Sequence, residues 1–121
     1  MSLLESGENY LESIYRLSMI KDGVHAIDIV NDLGFSKPSV SIALKKLKEQ
    51  DYLTINSESH IILTPKGLEI AKRIFERHQV ISSLLIKLGV EKAIADEDAC
   101  KIEHDLSKES FEALKKLNNS L

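Results

Sequence analysis

The sequence predicts a mainly α-helical chain with one small β-hairpin, and three observations carry that prediction. Leu, Ile, Lys and Glu dominate while aromatic residues make up 5% and tryptophan is absent, which suits helix packing by aliphatic side chains better than a sandwich or barrel. Apolar residues recur at helical spacing along most of the chain. Only two short runs, residues 52–55 (YLTI) and 61–64 (IILT), are β-type, and the five polar residues 56–60 between them are a length that joins hairpin strands.

Tyr10, Leu11, Ile14, Tyr15 and Leu17 fall on one helical face, so a first helix is expected over roughly residues 8–20, closed by "KDG" with Gly23 as a C-terminal cap. Ile27, Ile29, Val30 and Leu33 form a shorter second helix. In "LGFSKPS", Gly34 suits a left-handed turn, and Ser36 can cap a third helix opened by Lys37 and Pro38. There Val40, Leu44 and Leu47 make the buried stripe, leaving Ser39, Ser41, Ile42, Lys45 and Lys46 outside it. After the hairpin, Thr64 and Pro65 open a long helix carried by Leu68, Ala71, Ile74, Phe75, Ile81 and Leu85 towards Gly89. A fifth helix is expected over residues 92–105, packed by Ala95, Ala99, Ile102 and Leu106. Leu106 and Phe111 then flank Ser107 as a hydrophobic staple flanks its cap, opening a sixth helix. The order predicts a winged helix-turn-helix over residues 1–75 and a helical region over 76–121.

A chain of 121 residues, 43% apolar and 29% charged, can bury a core as one domain or as two small ones. Neither a basic-then-apolar N-terminal segment nor an apolar run of about 18 residues is present, so a cytoplasmic protein without membrane contact is expected. The single cysteine excludes an internal disulfide. The net charge of −3 argues against a broadly basic nucleic-acid coat, and attention shifts to where cations cluster.

They cluster on the third helix. Residues 36–48 hold four lysines and no acid. A recognition helix enters the major groove by its N-terminal part, so Ser36, Pro38, Ser39, Ser41 and Ile42 are candidate base-edge contacts, and Lys37, Lys45 and Lys46 candidate phosphate contacts. The rival reading is a solvated lysine-rich face, but turn, cap, polar face and wing occur in order and favour double-stranded DNA as partner. The wing connector carries Glu58 and only His60 as a cation, so little wing contact is expected.

Cys100, Glu103 and His104 stand at i, i+3 and i+4, a spacing that places three donors on one helical face. Thiolate, carboxylate and imidazole suit first-row transition ions rather than calcium or magnesium, and iron, manganese, zinc, cobalt and nickel all fit. The competing reading is an acidic wet face that binds nothing. His78 falls inside the apolar stripe of the long helix, where an imidazole needs a partner.

The stretches "ENYLESIYRLS", "LGFSKPSVSIALKKL", "ILTPKGLEIAKRIFERH" and "DACKIEHDLS", in that order, resemble the diphtheria toxin repressor and manganese transport regulator family, over nearly the whole chain. The resemblance implies a homodimeric repressor that binds a palindromic operator near metal-homeostasis genes, with Fe2+ or Mn2+ as corepressor. It assigns residues 76–121 to metal binding and dimerisation. It implies ligands at Cys100, Glu103, His104 and His78, with Asn9, Glu12 or both from the first helix. Asn9 stands where relatives carry methionine or aspartate, and Cys100 in place of a glutamate points towards iron. A second metal position is not expected, because Ser82 replaces a carboxylate and Asp96 a histidine. The chain matches a short form without the SH3-like domain of longer relatives.

Two other classes compete. A winged-helix regulator that uses no metal, constitutive or responsive to a small molecule, would make residues 100–104 structural. An enzyme built on Cys100 is not expected, because no HExxH, phosphate loop, nucleophile elbow or second cysteine is present. No small organic substrate is expected.

Overall fold

The computed structural model describes residues 5–121. Its elements run α1 (Glu5–Ser18), α2 (Ala26–Leu33), α3 (Lys37–Glu49), β1 (Leu53–Ile55), β2 (Ile61–Leu63), α4 (Pro65–Lys87), α5 (Lys92–Ile102) and α6 (Lys108–Ser120). The chain divides into two compact units, Met1–Lys72 and Arg73–Leu121.

In the first unit the core gathers Leu11, Ile14, Ile29, Val40, Leu44, Leu47, Leu53 and Ala71. α1 ends at Ser18, two residues short of the expected limit. Met19 N–H bonds to Arg16 O, an i−3 bond that tightens the last turn, and Ile20 is left largely exposed. Gly23 adopts φ +74° in the loop beyond, where the His60 ring lies against it. His25 precedes α2, and its backbone N–H donates to Asp28 Oδ2 at 2.8 Å. Of the apolar residues in α2, Ile29 is buried whereas Ile27 is exposed. Gly34 closes the helix at φ 74° and ψ 20°, its N–H bonding to Val30 O. Such a left-handed position favours glycine.

Ser36 caps α3 by accepting from Ser39 N–H at 3.2 Å. Val40, Leu44 and Leu47 are buried while Ser39, Ser41, Ile42, Lys45 and Lys46 are exposed, the division that their spacing predicts. The hairpin is antiparallel, pairing Leu53 with Leu63, Thr54 with Ile62 and Ile55 with Ile61. Asn56 Oδ1 organises its loop by accepting from the N–H groups of Glu58 and His60.

α1 and α2 are clamped by a polar cluster. Arg16 Nη1 and Nη2 donate to the two Asp32 oxygens at 3.2 and 2.7 Å, and the buried Ser13 hydroxyl donates to Asp32 Oδ2 at 2.7 Å. Partial burial pushes the Asp32 carboxyl upward, but hydrogen bonds from Arg16 and Ser13 hold it below the usual carboxylate range. Near the start of α4, Thr64 Oγ1 accepts from Gly67 N–H and donates to Asp51 O.

In the second unit Ile74, Ile81, Leu84, Ala95, Ala99 and Phe111 are buried. Ser107 caps α6 by accepting from Ser110 N–H at 3.1 Å. α5 stops at Ile102 rather than 105. Glu103 N–H keeps its bond to Ala99 O, but Asp105 N–H turns back to Ile102 O, so Glu103 to Asp105 form a turn. Ile102, expected in the apolar stripe, is 38% exposed, and the buried series continues from Ala95 and Ala99 to Glu103.

Two outcomes follow for stability. A Cβ at position 67 would lie 2.0 Å from Tyr52 O, so Gly67→Ala lowers unfolding free energy by about 2 kcal/mol despite alanine's better helix propensity, measurable by chemical denaturation. Because the Asp32 carboxyl is depressed in the folded state, its contribution is present above an unfolded value of about 3.9 and is lost as pH falls through the folded value. Asp32→Asn therefore destabilises by about 1 kcal/mol at neutral pH and shrinks the difference from wild type under acid, as unfolding curves at pH 7 and pH 3 will show.

Candidate metal centre and nucleic-acid face

The second unit assembles a donor set from α4 and from the end of α5. His78, on α4, is partly exposed, and its Nδ1 lies 2.9 Å from Glu103 Oε2. Glu103 is fully buried, a position that a carboxylate occupies only with strong partners. Cys100 is exposed at the last full turn of α5. Ligand atoms of His78, Cys100 and Glu103 all lie within 4.8 Å of one another. A thiol, an imidazole and a carboxylate at that separation can converge on one ion with small side-chain adjustments, and the mixture fits a first-row transition metal.

The three donors expected on one face of α5 are therefore arranged differently. Glu103 and His104 lie past the helix end in the turn, both with buried side chains, and only Cys100 faces solvent. His104 Nε2 is 3.5 Å from Glu103 Oε1, beside the cluster but outside the mutually close group. Asn9 is half-buried on α1, and Glu12 on the same helix is buried with Oε1 3.4 Å from Arg16 Nε.

Ser82 and Asp96 have combined with each other: the Ser82 hydroxyl donates to Asp96 Oδ1, and Lys92 Nζ donates to Oδ2 at 2.7 Å. Hydrogen bonds from Lys92 and Ser82 hold the Asp96 carboxyl below the usual range. His78 Nε2 lies 3.9 Å from Asp96 Oδ1, so its two ring nitrogens face two carboxylates.

Arg77 was not singled out by spacing. It is buried, and Nη1 donates to Glu103 O at 3.2 Å and to Leu106 O at 2.6 Å. An arginine placed among Ile74, Ile81 and Leu84 on the packed side of α4 was the only sequence signal for it.

In the first unit the outer side of α3 is open. A cavity of about 1110 Å³ beside it is lined by Tyr10, Phe35, Ser39, Ile42, Lys46 and Tyr52, among others. Ser36, Lys37, Pro38, Ser41 and Lys45 are exposed along the same helix. Lys66 adds a cation that spacing did not assign there, its Nζ 4.2 Å from the Tyr52 ring centroid and donating to Gln50 O. The wing's His60 sits edge-on to His25, ring centroids 4.7 Å apart. Among the described residues no helix is long and apolar enough to cross a membrane.

A capped, basic third helix with a hairpin wing, and a mixed thiol, imidazole and carboxylate cluster in the second unit, define the class: a winged-helix DNA-binding regulator with a transition-metal donor set. Residues 2–61 match the family model described as iron dependent repressor, N-terminal DNA binding domain, and residues 64–121 match that of the iron dependent repressor, metal binding and dimerisation domain. The HTH-type transcriptional regulator MntR of Listeria welshimeri is 36% identical over 109 residues, covering 90% of this chain and 77% of that protein. An uncharacterized HTH-type transcriptional regulator of Methanocaldococcus jannaschii is 36% identical over 115 residues, 92% of this chain and 90% of that one. The solved structure of the manganese regulator SloR superposes with a TM-score of 0.84 at 29% identity, over 98% of this chain and 55% of that one. This chain thus spans about half the length of SloR. It belongs to the iron dependent repressor family, whose members are DNA-binding transcriptional regulators and not enzymes.

The burial contrast within the donor set gives a stability test without metal. His78→Ala removes the 2.9 Å partner of a buried carboxylate and destabilises the metal-free chain by about 2 kcal/mol. Cys100→Ala, at an exposed position, changes it by less than about 0.5 kcal/mol. Urea unfolding of both variants in chelator decides it.

Proposed function

We propose that this chain is a metal-dependent transcriptional repressor that senses divalent iron or manganese and controls metal-homeostasis genes. It works in the cytoplasm as a homodimer on a palindromic operator. The observation that carries the reading is the mutual approach of His78, Cys100 and Glu103 within 4.8 Å, in a chain of a DNA-binding family. His104 joins the set through Glu103, and family resemblance adds Asn9, Glu12 or both as further donors.

When bound, the ion supplies a preference for the DNA-competent arrangement, which shifts a population without covalent chemistry. The chain's own residues do the rest. His78 orients the Glu103 carboxylate, Cys100 presents a thiol at the solvent edge, and Asp96 faces the second nitrogen of His78. Zinc, cobalt and nickel suit the same donors, so selectivity rests on geometry and availability. On the DNA side, Ser36, Pro38, Ser39, Ser41 and Ile42 are the base-reading candidates, and Lys37, Lys45 and Lys46 the phosphate contacts.

The test is fluorescence anisotropy on a labelled duplex selected from a random library by the metal-loaded protein. Mn2+ or Fe2+ is expected to raise affinity by about tenfold or more, and Cys100→Ala and His104→Ala to behave in metal as wild type does in chelator. Equal affinity with and without metal would contradict the switch. Lys45→Ala and Lys46→Ala should weaken binding evenly across sequences and reduce its salt dependence.

A further inference from the structure

Arg77 directly precedes His78 on α4. Arg77 is buried, and its Nη1 spans two main-chain carbonyls, Glu103 O at 3.2 Å and Leu106 O at 2.6 Å. The guanidinium carbon also lies 5.3 Å from the centroid of the Phe111 ring on α6. Those carbonyls belong to the first residue past α5 and to the residue before the α6 cap; at the end of α5, helix carbonyls lack intrahelical donors and partial negative charge collects. A permanent, planar cation is suited to that place.

Two consecutive residues of α4 thus hold Glu103 at both ends. Arg77 takes its main-chain carbonyl and His78 its carboxylate, at 3.2 and 2.9 Å. Glu103 and His104 stand on a turn past the end of α5, where the helix holds the main chain through Glu103 N–H, bonded to Ala99 O, and Arg77 holds it on the carbonyl side. A metal site requires its ligands within about half an ångström of the productive geometry.

We propose that Arg77 is a positioning residue of the metal centre. It pins the main chain from Glu103 to Leu106, so that the Glu103 carboxylate and the His104 ring are presented in binding geometry before an ion arrives. Arg77 touches no ion itself. Its contribution to affinity is preorganisation, the ordering cost being met during folding rather than on binding. This inference rests on the metal-sensor reading.

Titration of the metal-free chain with Co2+, followed by visible absorption, tests it, with thermal unfolding by circular dichroism run on every variant. The set is wild type, Arg77→Ala, Arg77→Lys and Leu84→Ala, the last a buried aliphatic on α4. Arg77→Ala should weaken Co2+ binding about tenfold or more and alter the cobalt ligand-field bands. Arg77→Lys should recover part of the loss, since an ammonium can still donate to the carbonyls. Leu84→Ala should lose thermal stability yet keep wild-type affinity and spectrum.

Arg77→Ala that binds Co2+ as wild type does overturns the positioning role and leaves the sensor reading intact. Leu84→Ala that loses affinity in step with stability overturns it too, because general loosening then suffices. If Arg77→Ala does not fold, unchanged affinity in Arg77→Lys overturns the proposal and weakened affinity supports it. Wild type that takes up no Co2+ overturns the sensor reading, and this inference with it.

Discussion

The second unit turns on a carboxylate placed where an apolar side chain would be the ordinary choice. Glu103 continues the buried series of Ala95 and Ala99, and burying a charge is costly unless partners answer it. The bond to His78 Nδ1 at 2.9 Å is one such answer, and it dictates much of the neighbourhood. His78 must stand on the packed side of α4, and the turn after α5 must present a side chain inward. A buried acid in contact with a partly exposed base makes weak evidence for stability. It makes better evidence for a site whose geometry has been kept for another purpose.

The first unit obeys a different constraint. A recognition helix must be rigid inside and free outside, and α3, proposed for that role, meets both demands with thirteen residues. Val40, Leu44 and Leu47 lock it to the core while the Ser36 cap fixes its start. The small residues at its N-terminal end leave room for close approach, and the lysines lie where phosphates are expected. The Arg16–Asp32 clamp between α1 and α2 holds the scaffold behind that helix through charged groups rather than more apolar area.

How much of this was legible in the sequence depended on whether the cause was local. The cap at Ser36, the turn at Gly34, the buried stripe of α3 and the hairpin are dictated by residues a few positions apart, and each stands as spacing predicts. The end of α5 was not legible. Apolar periodicity assigned Ile102 to the core and carried the helix to residue 105, but the carbonyls there are taken by Arg77, 26 residues away from Glu103. Spacing makes Glu103 a metal donor on the outer face of a helix, with a wet acidic face as the competing reading, whereas the structure buries it fully, a place that glutamate rarely occupies. His78 could be noticed, as a polar residue in an apolar stripe, whereas its bond to Glu103 is a tertiary fact. Cys100 and Glu103 were candidates from spacing alone, and the structure groups them with His78 rather than with His104 as the third mutually close donor.

The central claim is that Cys100, Glu103 and His78 form a transition-metal site, and the sulfur makes it directly observable. X-ray absorption of protein loaded with one equivalent of Zn2+ should show a single sulfur scatterer at about 2.3 Å with nitrogen and oxygen at about 2.0–2.2 Å, and the sulfur shell should vanish in Cys100→Ala. A first shell of nitrogen and oxygen only in the wild type, or a sulfur shell that survives the substitution, would contradict the account.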